Sequence, residues 1–434
     1  MPPLKIPVDD ASPRPAVVPV PLGTSPVSIA VLRQTQLKTP EIVIEEAQPS
    51  ESPSLAPSLP PSLPPSLPPL SLRRPRASAG SRRARLLVLV ATVLVAVLLA
   101  ARLHRGGAKR GVPGESGYAG VFSTTFDERR FQRGNIHTHT TRSDGSQPPE
   151  EVVAWYRDHG YQFLAITDHD VLVDPAEIHG GEAPGFVLIP GEEISSSVGI
   201  KAVHIQALCI DHFIASGHYD SPLEALAQGL AAVRAQNGFA VVNHPNFEWA
   251  VGLADIMPLT GAYALEIWSG HPFSHSEGDA TRPSHQAMWD ELLTRGRRVT
   301  AVAVDDSHSV VVQGAAVEFL PGRAWVNTFG ELGRASVCDA LRRGRFYASS
   351  GVVFRRIRVE PGRLTVWVDD ARVSVEFMAS AAQVLASVAG EALANDADGY
   401  SASYALRGGE AYVRAVAKGP GGAEAWTQPY YTRP

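Results

Sequence analysis

The chain has 434 residues, long enough for two or three domains at roughly 100–200 residues each. Its charge is divided unevenly: residues 1–110 carry 14 Lys/Arg against 6 Asp/Glu, and the remainder carries 25 against 38. An acidic globular part argues against long polyanions, so no nucleic-acid partner is expected, and bound cations could offset part of that charge. Two cysteines, Cys209 and Cys338, with no C-x-x-C, exclude a disulfide framework and a thiolate zinc site; each reads as a buried, apolar-like side chain.

Residues 1–80 are rich in Pro and Ser and include three copies of Ser-Leu-Pro-Pro between Ser58 and Pro69. Such a repeat builds no core, so this tail is expected to be extended or disordered, a spacer rather than a docking motif. A basic cluster (Arg73, Arg74, Arg76, Arg82, Arg83, Arg85) precedes the apolar run Leu86 to Ala101, which lies within residues 81–105. Sixteen residues is slightly short of the about 20 that span a bilayer, but Arg85 and Arg102 can snorkel and Leu103 adds length. The expectation is a single-pass membrane anchor over 86–103. The alternative is a signal sequence, if translation begins nearer residue 80. Six arginines before the run, against Arg102, Arg105, Lys109 and Arg110 after it, put the globular part on the extracytoplasmic side.

From about Tyr118 apolar runs of strand length alternate with helical stretches. Strands are expected near 134–139, 163–167, 186–189, 205–210, 239–243, 264–268 and 298–304. Helices are expected over 148–159, 223–236 and 283–295, the first capped by Ser146 and opened by Pro148 and Pro149. Seven strands with crossovers imply a parallel, barrel-like α/β domain over 118–352. From Arg355 the pattern changes to period-two alternation (Ile357, Val359; Leu364, Val366, Val368; Val373, Val375, Phe377), which implies a small antiparallel β-sandwich over 355–434.

Polar residues punctuate the strand ends. His137 and His139, two apart, share one face of a strand, and Asp144 follows in a Ser-Asp-Gly turn. His169 follows the second strand, Glu192-Glu193 the third, and His244 the fifth. Glu266 lies in the sixth, and Asp305-Asp306-Ser307-His308 follows the seventh. His204 precedes its apolar run and is the weakest by position. In barrel-like α/β folds such ends converge on one face, and imidazole with carboxylate is the donor set of zinc, manganese or iron. Eight other histidines have no such placement. No G-x-S-x-G marks a serine nucleophile. Lys201, Arg282, Trp268 and His271 are candidates for a substrate rim.

The motifs H-T-H, S-D-G, T-D-H, G-E-E, N-H-P and D-S-H, in this order over residues 133–310, resemble the PHP (polymerase and histidinol phosphatase) superfamily. R-F-Y-A-S-S-G at 345–351 and A-W-T-Q-P at 425–429 resemble its carbaryl hydrolase-like branch. The resemblance implies a distorted (β/α)7 barrel holding two or three divalent ions. His137, His139, Glu193 and Asp306 would hold the first; Glu193, His204 and His244 the second; Asp144, His169 and His308 the third. Asp144 stands where some relatives have His. The activity implied is metal-dependent hydrolysis of a small-molecule ester by a metal-bound hydroxide, with no separate catalytic side chain assigned. A phosphoester is the leading substrate; a carboxylic or carbamic ester is the alternative, and a non-catalytic tethered binding module a second one.

Overall fold

The computed structural model describes residues 125–311 and 321–432, all within the compact unit Val88–Pro434. The expected tail and anchor lie outside the described residues. Among the described residues no helix is long and apolar enough to cross a membrane.

The elements run β1 (Phe126–Glu128), β2 (Phe131–Asn135), α1 (Pro149–Asp158), β3 (Phe163–Leu164), β4 (Val187–Leu188), β5 (Gly191–Val198), β6 (Lys201–Leu208), α2 (Pro222–Ala235), β7 (Phe239–Val242), α3 (Leu253–Ile256), β8 (Ala264–Ser269), α4 (His285–Thr294), β9 (Thr300–Val304), β10 (Trp325–Phe329), α5 (Arg334–Arg342) and β11 (Phe346–Ser349). Nine further strands follow: β12 (Phe354–Glu360), β13 (Arg363–Val368), β14 (Ser374–Met378), β15 (Val384–Val388), β16 (Ala394–Asp396), β17 (Gly399–Ala405), β18 (Tyr412–Lys418), β19 (Glu424–Thr427) and β20 (Tyr430–Tyr431).

Local chemistry accounts for the helix starts. Pro149 and Pro222 open α1 and α2, where a missing N–H costs nothing. The hydroxyls of Ser221 and Ser284 accept the N–H groups of Glu224 (3.2 Å) and Ala287 (3.1 Å) at the starts of α2 and α4. Ser146 does not cap α1: the cap position is Pro148, which has no side-chain acceptor.

Two arcs of strands, β2-β3-β4 and β5-β6-β7-β8-β9, enclose a common interior of residues such as Phe163, Ala165, Val241, Ala264 and Val302. The arcs meet through parallel bridges, Thr138 with Ser307 and His169 with Glu193. The arcs are not all parallel as expected. β6 runs antiparallel to both β5 and β7, because β5 and β6 form a hairpin closed by Gly199 and Ile200. Gly199 takes φ +61°, which a side chain would resist. β5 escaped notice because Ser195-Ser196-Ser197 dilutes its apolar alternation.

The C-terminal strands form antiparallel sheets around a second core that includes Phe354, Val366, Phe377 and Val413. One sheet, β1-β12-β13-β17-β16, recruits β1 from before the arcs. The other continues through β18-β19-β11-β10 into β2, so the sheet crosses the boundary expected near 352–355.

The cysteines need a correction. Both are buried, but Cys209 and Cys338 are bonded to each other, tying the end of β6 to α5 across 129 positions. Both side chains enter the interior core of the arcs. A proximity made by that core leaves no local trace in sequence.

Candidate metal centre

Each donor is set by a local device. His137 and His139 lie on the continuation of β2, two apart and both buried. The His137 carbonyl accepts the Asp306 N–H (3.0 Å), and the His139 N–H donates to the Ser307 carbonyl (2.9 Å), so this segment is interlaced with the one after β9. Asp306 adopts φ +50°, a left-handed conformation rare for a side-chain-bearing residue. The turn carrying Asp144 closes when the Gly145 N–H donates to the Thr140 carbonyl (2.9 Å). A Cβ on Gly145 would lie 2.5 Å from the His139 backbone, so only glycine fits. Asp168, of the T-D-H motif, is not one of the converging donors. It accepts the Thr140 N–H (2.7 Å) and the hydroxyls of Thr140 (2.6 Å) and Ser143 (2.7 Å), pinning that turn.

The β5–β6 register settles two questions the sequence left open. Glu193 pairs with Gln206 and Ser195 with His204, so these four share one face. Glu192 lies on the other face, where its carboxylate accepts the Ile214 N–H (2.7 Å) and burial pushes its pKa up to about 7. His204, weakest by position for a parallel strand, reaches the same end as the others because β6 is reversed.

All nine expected donors fall into clusters whose ligand atoms lie within 4.8 Å of one another: His137, His139 and Asp306; His137, Glu193 and His244; His169, Glu193 and His204; and His139, Asp144, His169 and His308. Glu193 is the hub. Its Oε1 is 3.1 Å from His204 Nδ1 and 3.3 Å from His244 Nε2. Its Oε2 is 3.3 Å from His137 Nε2, 3.4 Å from His139 Nε2 and 3.0 Å from His169 Nδ1. Asp306 Oδ1 is 3.1 Å and 3.2 Å from the Nε2 atoms of His137 and His139. Asp144, half exposed, has Oδ2 3.6 Å from His169 Nε2 and 3.4 Å from His308 Nε2.

These are not ordinary hydrogen bonds. The buried atoms His137 Nε2, His139 Nδ1 and Nε2, Glu193 Oε2 and His204 Nδ1 have no partner in hydrogen-bond geometry. Buried polar atoms left this way are costly, and lone pairs converging on one point fit a cation. Charge within the cluster agrees. Burial opposes ionisation of Glu193, yet His137, His204 and His169 hold its carboxyl well below the usual range. Burial likewise opposes the Asp306 charge, and His137 and His139 pull its pKa well down. His139 is pushed down to about 4, chiefly by burial.

Of the expected rim, the His271 ring stands 5.2 Å from that of His308 and 6.1 Å from Phe247. Lys201 donates to the Trp249 carbonyl (3.1 Å), and Arg282 lies 5.9 Å from the Trp249 ring, so both are held beside Trp249. Trp268 packs against the outer core. Sequence reasoning missed Arg323, whose guanidinium donates to the Gly270 carbonyl (2.5 Å), beside His271. It also missed Asn243, whose amide donates to Glu193 Oε1 (2.7 Å); its place next to His244 in N-H-P was the available signal.

Fold and site together define an α/β protein with a donor set suited to divalent cations. No family model matches the chain. Two curated relatives match short stretches. One is a 5'-3' exoribonuclease of Haemophilus influenzae, 39% identical over 79 residues (18% of this chain and 28% of that protein). The other is a 3',5'-nucleoside bisphosphate phosphatase of Chromobacterium violaceum, 36% identical over 102 residues (23% and 32%). The chain thus spans about a third or less of the length of these relatives. A two-domain protein of Bacteroides vulgatus, described as containing a predicted PHP-like metal-dependent phosphoesterase, aligns with 74% of this chain and 100% of its own at 16% identity and TM-score 0.36. At that score the fold likeness bears no weight here. On its ordered motifs, the convergence of their residues and the curated phosphohydrolase relatives, the chain resembles the PHP superfamily.

Proposed function

We propose that the described region is a metal-dependent phosphoesterase built on a distorted (β/α)7 barrel of PHP type, with the C-terminal strands as an appended β-sandwich. The observation that carries this reading is the set of nine converging donors whose buried atoms lack hydrogen-bond partners. His137, His139, Glu193 and Asp306 would hold one ion; Glu193, His204 and His244 a second; Asp144, His169 and His308 a third. Bound there, divalent ions such as zinc, manganese or iron supply an acidified water and neutralise charge developing on oxygen.

The chain's own residues do the rest. Glu193 offers one oxygen to each side of the cluster, and Asn243 fixes its rotamer. The Ser195 hydroxyl lies 2.7 Å from His169 Nδ1, which leaves Nε2 turned toward Asp144. The Arg323 guanidinium, held at the Gly270 carbonyl next to His271, suits an anionic substrate, which favours a phosphoester over a carboxylic or carbamic ester; His271 itself is kept neutral by burial, its pKa pushed down to about 4. The Cys209–Cys338 bond supports folding in an oxidising compartment, as expected for a domain held outside the cytoplasm by an anchor over 86–103.

The test is metal content of the purified chain, followed by assays on p-nitrophenyl phosphate, bis-p-nitrophenyl phosphate and 1-naphthyl acetate. Two or more ions per chain and turnover of a phosphoester are expected. Turnover of the acetate alone favours the carboxylic ester alternative. A chain that takes no metal leaves only a binding module.

A further inference from the structure

Glu266 lies outside the nine donors yet is as deeply buried as any of them. It projects from β8, and its Oε2 is 3.1 Å from His137 Nδ1. On the same ring, Nε2 faces the cluster, 3.1 Å from Asp306 and 3.3 Å from Glu193. His139 differs: the carboxylate near its Nδ1 is half-exposed Asp144, at 3.6 Å. A neutral imidazole carries one N–H. If Nδ1 holds it for Glu266, the Nε2 lone pair is presented to the centre.

Two features argue that this is a built contact. First, the β8–β9 register shifts between Glu266 and Trp268, a bulge immediately beside the carboxylate. In a regular strand Trp268 would share the inward face with Glu266. Instead it packs with Leu265 and Ile267 against the outer core, leaving Glu266 alone beneath His137. Second, Glu266 Oε1 has no hydrogen-bond partner. A fully buried carboxylate with one oxygen unused is costly unless positive charge lies next to it.

We propose that Glu266 is a positioning residue that holds His137 as the Nδ1–H tautomer and aims its Nε2 at a cation in the cluster. This rests on the metal-binding reading above. Outer carboxylates of this kind raise the basicity of a ligating imidazole and fix its orientation.

The test compares the full chain with Glu266→Gln, which keeps the shape and one acceptor oxygen, and Glu266→Leu, which removes the acceptor. Zinc affinity is measured by competition with a chromophoric chelator, and the His137 tautomer by 15N NMR of the metal-free chain, with His137→Ala assigning the signal. Glu266→Leu should weaken one zinc site about 10–100-fold, and Glu266→Gln less. The His137 signature should shift from Nδ1–H toward a mixture in Glu266→Leu. A merely structural Glu266 would change the melting temperature but neither readout. Unchanged zinc affinity and an unchanged Nδ1–H signature in a folded variant overturn the proposal. If Glu266→Leu does not fold, Glu266→Gln decides: affinity within twofold of the unsubstituted chain counts against it. Should the unsubstituted chain take no zinc, the metal reading itself fails, while the tautomer measurement still reports on the Glu266–His137 contact.

Discussion

Glu193→Gln is the sharpest perturbation of the site, because five histidines lie within 3.4 Å of its two carboxylate oxygens. Glutamine keeps the volume but replaces one oxygen with an NH2 that points hydrogens at imidazole lone pairs or at a cation. Ligands bound only by the folded state stabilise it by about 2.7 kcal/mol at a hundredfold excess over Kd. At about 2–4 °C per kcal/mol for a domain of this order, metal saturation should raise the melting temperature of the unsubstituted chain by about 5–10 °C. Glu193→Gln should lose most of that rise and at least one ion per chain by elemental analysis. Its phosphoesterase rate should fall at least about 100-fold, or about 2.7 kcal/mol on the barrier. Glu192→Gln is the matched control: its carboxylate faces Ile214 on the opposite side of β5, so metal content should not change. A Glu193→Gln chain that keeps its full metal complement, or a Glu192→Gln chain that loses it, would refute both the hub and the strand register.

Three further outcomes are expected. Replacing both Cys209 and Cys338 with serine opens a loop of 129 positions; chain entropy alone puts the cost at about 5 kcal/mol, read as a lower urea midpoint, and a peptide map without reductant should recover the bridged pair. Asp290→Ala strands fully buried Arg414, whose Nε and Nη2 donate to Asp290 Oδ1 (3.1 and 2.6 Å). The loss should be about 3–5 kcal/mol in denaturant titrations, and adding Arg414→Met should restore most of it. Asp127 accepts from Arg356 Nε (2.7 Å), which holds its carboxyl below the ordinary 3.8. The native state therefore binds fewer protons than the unfolded chain just below pH 4, and stability falls as pH drops through that window. Thermal melts between pH 2 and 5 should show a shallower acid limb for Asp127→Asn.

Most donors were legible in the sequence because they sit at or just beyond the end of a short apolar run, where alternation gives way to a turn; His204, in the middle of β6, is the exception. His137 and His139, two apart, need only the pleat of a strand to share a face. Asp306 and His308 need only the turn after β9. The arcs of strands were legible for the same reason: runs such as Ala264–Ser269 and Thr300–Val304 are buried along most of their length. Strand direction was not legible. Two apolar runs joined by a short link read alike whether the chain crosses over or turns back, and the link between β5 and β6 is only Gly199 and Ile200. Nor was the Cys209–Cys338 bond, which depends on α5 and the end of β6 sharing the interior core.

The reversal of β6 also explains why the site can be so dense. In an all-parallel arrangement each strand delivers side chains to the donor end only at its C-terminal tip. A hairpin delivers from two strands at one level: the face of β5 carrying Glu193 and Ser195 lies beside the face of β6 carrying Gln206 and His204. Ser195 reaches His169, and Gln206 donates to the Thr167 hydroxyl (3.2 Å), so the same hairpin presents two donors and braces the strand that presents a third. The disulfide anchors its far end, just beyond Leu208. A slip of one residue in this hairpin would turn His204 to the outer face. It would also put Val203 opposite Ser195, so the centre would lose a ligand and gain a methyl-lined wall. Any variant that lengthens the Gly199–Ile200 turn and slips the register should therefore lose metal before it loses the fold.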